Sequence, residues 1–121
     1  MEPQSSIKTN DLVNCPVTAT MDVIGGKWKI LILYLISGGV NRFGKLGMLL
    51  KDVSKQMLTT QLRELERDGI LRRVIYPEIP PRVEYFLTEK GEALKPVFMA
   101  LREWGTKYEL EPQEADKEIF G

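Results

Sequence analysis

The stretch SKQMLTTQLRELERDGI, residues 54–70, has the apolar spacing of a helix that buries one side only. At 3.6 residues per turn its leucines fall on one side, and we expect them to face a core. Ser54 is a favourable N-cap, and Gly69 follows where the helix should end. The pattern therefore predicts a helix over residues 54–68. The predicted apolar stripe consists of Met57, Leu58, Leu62 and Leu65.

The opposite side of this helix carries amide, hydroxyl and guanidinium groups, which can bond base edges and phosphates in a major groove. A short helix predicted over residues 43–50 precedes it, which is the order of a helix-turn-helix with the second helix as reader. The alternative is a merely solvated helix face. The DNA-binding candidates on and beside this face are Ser54, Lys55, Gln56, Thr59, Thr60, Arg63 and Arg67.

Two strand-like runs, residues 71–76 and 83–87, follow the reader helix. The proline-rich segment between them predicts a hairpin with a stiff, exposed end. Arg72, Arg73 and Arg82 make the hairpin basic, so it is expected to act as a wing along the DNA backbone or in a minor groove. Arg82 joins the DNA-binding candidates. The alternative is a sheet that completes the core and keeps its arginines for solubility.

The remaining elements complete a fold that is mainly α with a small β-hairpin, a winged helix-turn-helix. Helices are predicted over residues 16–24, over residues 27–37, and from Thr88 to about residue 109, with Gly91 and Pro96 weakening the first turns of the last one. We expect three regions along the chain. They are a mobile N-terminal arm (1–13), the folded domain with its dimerisation helices (14–109) and an acidic C-terminal tail (110–121).

Composition narrows the possible functions. The 121 residues suggest one domain, and the chain has one cysteine and no histidine. Serine–histidine and cysteine–histidine catalysis are excluded, and so is a Cys/His zinc site within one chain. No catalytic residue, metal or cofactor is therefore expected. The longest apolar run, residues 30–36, is too short to span a membrane, and the polar N-terminus does not resemble a signal peptide, so a cytoplasmic protein is expected.

Net charge is zero, but the charge is unevenly distributed along the chain. Residues 42–90 hold ten Lys and Arg against seven Asp and Glu, whereas residues 109–118 hold five acids and one Lys. The mildly basic middle is compatible with DNA binding. The acidic tail offsets its positive charge in the net charge of the whole chain.

Several segments together resemble the HxlR-type family of bacterial winged helix-turn-helix regulators. They are CPV (15–17), IGGKWKILILYL (24–35), NRFGKL (41–46), SKQMLTTQLRELERDGIL (54–71), PPRVEYFLTEKGEAL (80–94) and LREWG (101–105). The resemblance covers about residues 14–108. It implies a homodimeric transcription factor that pairs through its first and last helices. Lys45 departs from the family pattern, which usually has an acidic or polar residue there, and leaves the preferred DNA sequence open.

A dimer also follows from the aromatic residues of the last helix, which exceed what one small core readily covers. The alternative is that they pack only against the first two helices. A two-fold dimer would set its reader helices about 34 Å apart and favour a palindromic operator. The predicted interface residues are Val17, Met21, Phe98, Leu101, Trp104 and Tyr108.

Cys15 directly precedes Pro16, where the dipole of the first helix favours the thiolate. Lys8, Lys27 and Lys29 are possible further sources of positive charge. A thiolate near the subunit interface could sense oxidants or electrophiles through a sulfenic acid, an adduct, or a disulfide to Cys15 of the other subunit. Several regulators of the resembled family respond to such stress through an N-terminal cysteine, and Cys15 matches that position. The alternative is a small, packed hydrophobic residue.

These observations predict a dimeric, sequence-specific transcriptional regulator that binds double-stranded DNA with the helix 54–68 and the wing 71–87. Two alternatives remain open. One is a winged-helix module that uses the same face to bind a protein. The other is a regulator with a small-molecule pocket beside Trp28, Phe98 or Trp104.

Overall fold

The computed structural model describes residues 12–114 and 117. It is mainly helical with one two-stranded antiparallel hairpin, which confirms the predicted fold class. The predicted bounds hold to within one residue up to the second strand. The elements are α1 (Pro16–Ile24), α2 (Trp28–Ser37), α3 (Phe43–Leu49), α4 (Lys55–Arg67), β1 (Leu71–Tyr76), β2 (Arg82–Leu87), α5 (Glu89–Glu92) and α6 (Lys95–Tyr108).

Helix α2 lies at the centre of the molecule, as its nearly continuous apolar sequence predicts. It contacts α4, α6 and β2, so the reader helix, the wing and the last helix share one support. The fully buried side chains come from four helices and the turn before β1, which makes one continuous core. They are Ile32, Leu33, Leu46, Leu58, Leu62, Leu65, Ile70 and Phe98.

Local signals set both ends of α4. The Ser54 hydroxyl accepts a hydrogen bond from the Met57 backbone N–H at 3.0 Å, which confirms the N-cap. Gly69 adopts φ +76°, a conformation that favours glycine and lets the chain turn into β1. The prediction that Met57 belongs to the buried stripe is wrong, because its side chain is 43% exposed. One residue before Leu58 is about 100° around the helix, outside the leucine cluster.

The wing is an antiparallel hairpin whose six residue pairs run from Leu71 with Leu87 to Tyr76 with Arg82. Its second strand is fixed to the segment before α3, where Arg42 forms an isolated bridge with Glu84. The Tyr85 N–H also donates to the Asn41 carbonyl oxygen at 2.9 Å. The wing is therefore attached to the first helix of the helix-turn-helix as well as to the core.

The last predicted helix is two helices in the structure. Thr88 caps α5 as predicted, accepting from the Gly91 N–H at 3.1 Å. Pro96 lacks the N–H of an interior helical residue and its ring clashes with the preceding turn, so α6 starts anew at Lys95. Gly91 is required for packing, because a β-carbon there would collide with the Ile70 carbonyl oxygen.

The predicted arm, residues 1–13, lies outside the described residues except for Leu12 and Val13, which are helical. The predicted tail, residues 110–121, lies partly outside them as well. Within the described part of the chain, no helix is long and apolar enough to cross a membrane.

Candidate nucleic-acid interface and thiol site

Helix α4 divides into a buried side and an exposed side. Leu58 is 2% exposed, and Leu62 and Leu65 are fully buried. The polar residues predicted on the other side point outward, with Thr59 at their edge partly buried. We call this set the reading face: Lys55, Gln56, Thr59, Thr60, Arg63 and Arg67, with Ser54 at the start of the helix. The side chains of the reading face are of the types that can contact base edges and phosphates.

The two threonine hydroxyls of the reading face are oriented by the helix itself. Thr59 Oγ1 donates to the Lys55 carbonyl oxygen at 2.9 Å, and Thr60 Oγ1 donates to the Gln56 carbonyl oxygen at 3.0 Å. Since each hydroxyl has one proton, both oxygens are left as acceptors in these rotamers. Arg67 at the end of the helix is 3.5 Å from the neighbouring Asp68 carboxylate, in a largely exposed pair.

An ion pair between a buried lysine and a partly exposed glutamate fixes α4 to the central helix. Lys29 Nζ lies 2.7 Å from Glu64 Oε1, and Lys29 is only 7% exposed. The hydrogen bond from Lys29, followed by its positive charge, lowers the pKa of the Glu64 carboxyl below its usual value. Sequence reasoning missed this pair and considered Lys29 as a source of charge for Cys15. The available signal was that Lys29 is the only charged residue in the apolar sequence of α2.

The wing tip holds its own arginine. Arg82 Nη2 lies 3.2 Å from Glu78, its Nε lies 3.5 Å from Glu84, and its guanidinium stacks 4.1 Å from the centre of the Tyr76 ring. The Nε atom is buried without a hydrogen bond, so its contact with Glu84 is a charge contact. Glu84 also pairs with Arg42 at 3.3 Å. Two carboxylates thus offset much of the charge that the sequence assigned to the wing.

The other wing arginines also have intramolecular contacts. Arg72 lies over the Phe86 ring at 4.9 Å, and Arg73 reaches Glu66 of α4 at 3.7 Å. Buried Tyr85 lies on the same face of the hairpin as Arg73. Burial raises the pKa of Tyr85 above its usual value, and the charge of Arg73 opposes part of that shift. The contact between Arg73 and Glu66 joins the wing to the reader helix.

Cys15 is the N-cap of α1 and is partly exposed, so the predicted placement at the helix start is correct. Its sulfur lies 3.2 Å from the Thr18 hydroxyl and accepts from the Thr18 backbone N–H at 3.4 Å. These two hydrogen bonds, the side-chain one first, lower the pKa of the Cys15 thiol below its usual value. The arrangement favours a nucleophilic thiolate that solvent can reach.

Helices α1 and α6 expose the apolar residues predicted for a subunit interface, with one exception. Phe98 is 2% exposed and packs edge-to-face on Tyr34 with ring centres 6.2 Å apart. It belongs to the core because it faces α2. Trp104 and Tyr108 remain outside, with ring centres 5.3 Å apart. The exposed members of the predicted interface are Val17 (71%), Met21 (54%), Leu101 (54%), Trp104 (59%) and Tyr108 (59%).

The order of α3, α4 and the following hairpin defines a winged helix-turn-helix, the architecture of many DNA-binding regulators. The HxlR-like helix-turn-helix family model matches residues 23–113. The HTH-type transcriptional regulator YdeP of Bacillus subtilis (strain 168) is 48% identical over 100 residues, which are 83% of this chain and 78% of YdeP. The chain therefore belongs to the HxlR-like family of helix-turn-helix transcriptional regulators, and the resemblance seen in the sequence is confirmed.

Solved structures support the same assignment. The redox regulator HypR in its oxidized form is 46% identical with a TM-score of 0.75, and the match covers 79% of this chain and 99% of that one. HypR in its reduced form is 46% identical with a TM-score of 0.74, and the match covers 77% and 92% of the two chains. The fold of this chain is thus about equally similar to the oxidized and the reduced form of HypR.

Proposed function

We propose that the protein is a dimeric, sequence-specific DNA-binding regulator that reads a palindromic operator and is switched by modification of Cys15. The observation that carries the DNA-binding part is the division of α4 into buried leucines and an exposed reading face. We assign the protein no catalytic role. It acts in the cytoplasm, the compartment that holds the chromosomal DNA in bacteria such as that of the relative YdeP.

The reading face suggests which contacts specify sequence. The Arg63 guanidinium suits the two acceptors of a guanine, and the Gln56 amide suits adenine. Because Thr59 and Thr60 give their protons to the backbone, they would contact base amino groups, on adenine or cytosine. Arg82 is expected to contribute a backbone contact from the wing, and its carboxylate partners limit how much charge it presents.

The exposed apolar residues of α1 and α6 support a homodimer. Aromatic residues are favoured at the centres of protein interfaces, and the paired rings of Trp104 and Tyr108 supply such a centre. A two-fold arrangement would present two reading faces about 34 Å apart on one side of the duplex. The dimer then binds both half-sites of the operator at the same time, so a small change in the angle between subunits changes DNA affinity.

Cys15 is suited to control that angle. It begins α1, two residues before Val17 of the proposed interface, and its lowered pKa increases the reactive thiolate fraction. An oxidant such as a peroxide takes two electrons from the thiolate to give a sulfenic acid, which can form a disulfide with Cys15 of a second subunit and release water. The similarity to HypR, solved in oxidized and reduced forms, supports this part of the proposal.

Selection from a random duplex pool, followed by affinity measurements over a range of salt, tests DNA binding. We expect an enriched palindrome and an affinity that falls steeply with salt. Arg63→Ala should cost about 1–3 kcal/mol on the selected operator. Lys95→Ala on α6, which removes the same charge outside the reading face, should bind the operator like the parent. If no sequence is enriched and the affinity for duplex DNA does not depend on salt, the result would instead favour the alternative, a winged-helix module that binds a protein.

Titration of hydrogen peroxide into the protein–operator complex tests the switch. We expect operator affinity to change with oxidation in the parent and to stay constant in Cys15→Ser. If Cys15→Ser responds as the parent does, the sensor proposal fails, while the DNA-binding proposal stands.

A further inference from the structure

An open apolar cleft lies between α2 and the turn that joins α3 to α4, and Gln113 of the segment after α6 also lines it. Its volume is about 510 Å³, and its lining residues are distinct from the reading face. The apolar walls are formed by Trp28, Leu31, Tyr34, Leu35, Leu49 and Leu50. Of the aromatic residues considered as ligand contacts from the sequence, Trp28 lines this cleft, whereas Phe98 is buried in the core and Trp104 is exposed on α6.

The shape and polarity of the cleft suit a small ligand. Leu31 is 37% exposed and Leu49 is 41% exposed, and both line the same concavity as the half-buried Trp28 ring. Single exposed leucines are normal on protein surfaces, but apolar side chains that line one cavity of this volume are typical of ligand sites. A flat apolar molecule could cover all three of these side chains at once.

Among the charged side chains that line the cleft, positive charges outnumber negative ones. The charged residues that line the cleft are Lys27, Lys51 and Asp52. Lys27 Nζ lies 4.8 Å from the centre of the Trp28 ring. A ring stacked along the apolar wall could therefore direct an anionic group to an ammonium at the mouth. From this combination we infer that the cleft binds a small aromatic carboxylate.

The position of the site suggests that such a ligand regulates DNA binding, an effect that rests on the proposed function. One wall ends in the turn that leads to Ser54, the N-cap of α4. The other wall is α2, whose Lys29 holds Glu64 in the middle of α4. A ligand between these walls contacts both supports of the reader helix. It shifts operator affinity to the extent that it binds one pose of α4 more tightly than another.

Calorimetric titration of the full chain without DNA tests the site, with 1-naphthoate as the probe. We expect saturable binding that is about tenfold weaker in Leu49→Gln, since losing one good apolar contact is worth roughly that factor. Met48→Gln is the matched control, because Met48 is the neighbouring residue of α3, is 67% exposed and does not line the cleft. Leu31→Gln on the facing helix should weaken binding as Leu49→Gln does.

The same titration with 1-naphthylmethylamine tests the charge preference. This probe keeps the ring and reverses the charge, so the cleft, with its excess of positive charges, should bind it several times more weakly than the carboxylate. Equal binding of the two probes would refute the assigned ligand class. Absence of saturable binding, or equal binding by parent and Leu49→Gln, would refute the site itself. Binding that weakens as protein concentration rises would assign the cleft to a second copy of the chain.

Operator affinity with and without 1-naphthoate tests the regulatory effect. We expect a shift in the parent that is absent in Leu49→Gln. Ligand binding without any such shift overturns the coupling alone. A parent that binds no operator even without ligand contradicts the proposed function, and the two failures are therefore distinguishable.

Discussion

Phe98 and Trp104 lie six residues apart on α6, and the structure gives them opposite roles. Phe98 is 2% exposed and contacts Tyr34, whereas Trp104 is 59% exposed. Truncating a buried phenylalanine removes its apolar contacts and leaves a cavity, so Phe98→Ala should lower the free energy of unfolding by about 3–5 kcal/mol. Trp104→Ala removes little from the core of the single subunit, and should change its intrinsic stability by no more than about 0.5 kcal/mol.

Urea unfolding at protein concentrations spanning about a hundredfold separates the two effects, because the stability of a dimer depends on concentration. Sedimentation in the absence of urea gives the association state. We expect Phe98→Ala to be strongly destabilised and still dimeric, with a midpoint that still rises with concentration. Trp104→Ala should sediment as a folded single subunit whose midpoint is independent of concentration.

The reverse pattern would refute the reasoning. A Phe98→Ala protein of parental stability that sediments as a single subunit would mean that Phe98 contacts a partner instead of the core. A Trp104→Ala protein that remains dimeric with its midpoint still dependent on concentration would remove Trp104 from the interface. Leu101→Ala provides a second test of the same surface, because Leu101 is 54% exposed on the same helix.

Three further perturbations test individual contacts. Arg82→Ala should weaken binding to operator and to random duplex alike, and a loss confined to the operator would show that the wing reads sequence. Thr18→Val should move the alkylation rate profile of Cys15 to higher pH, since hydrogen bonding with Thr18 lowers the pKa of the thiol and the side-chain contact is removed. Thr18→Ser should restore the parental midpoint, and an unmoved midpoint in Thr18→Val would contradict the assignment. Glu64→Leu leaves the Lys29 ammonium nearly buried without its partner. It should therefore lower Tm more than the double change Lys29→Met with Glu64→Leu. In a double-mutant cycle of these two changes, additive effects on Tm would show that the pair is not coupled.

Elements that depend on neighbouring residues were predictable from the sequence. The period of the leucines determined that α4 is a helix with one buried side, and Ser54 and Gly69 determined where it begins and ends. The proline-rich tip between two β-prone runs likewise determined the hairpin. In each case the deciding signal lies within one short continuous segment of the sequence.

Tertiary structure alone decided which side chains meet across elements. The Lys29–Glu64 pair requires α2 to lie beside α4, and Phe98 is buried because α6 packs against α2. The break before α6 shows the boundary between the two kinds of information, since Pro96 signalled a weak point but not a new helix. Arg82 carries the same charge in any arrangement, but only the folded hairpin brings Glu78 and Glu84 to its guanidinium. Periodicity specifies which face of an element is apolar, whereas packing geometry specifies what that face touches.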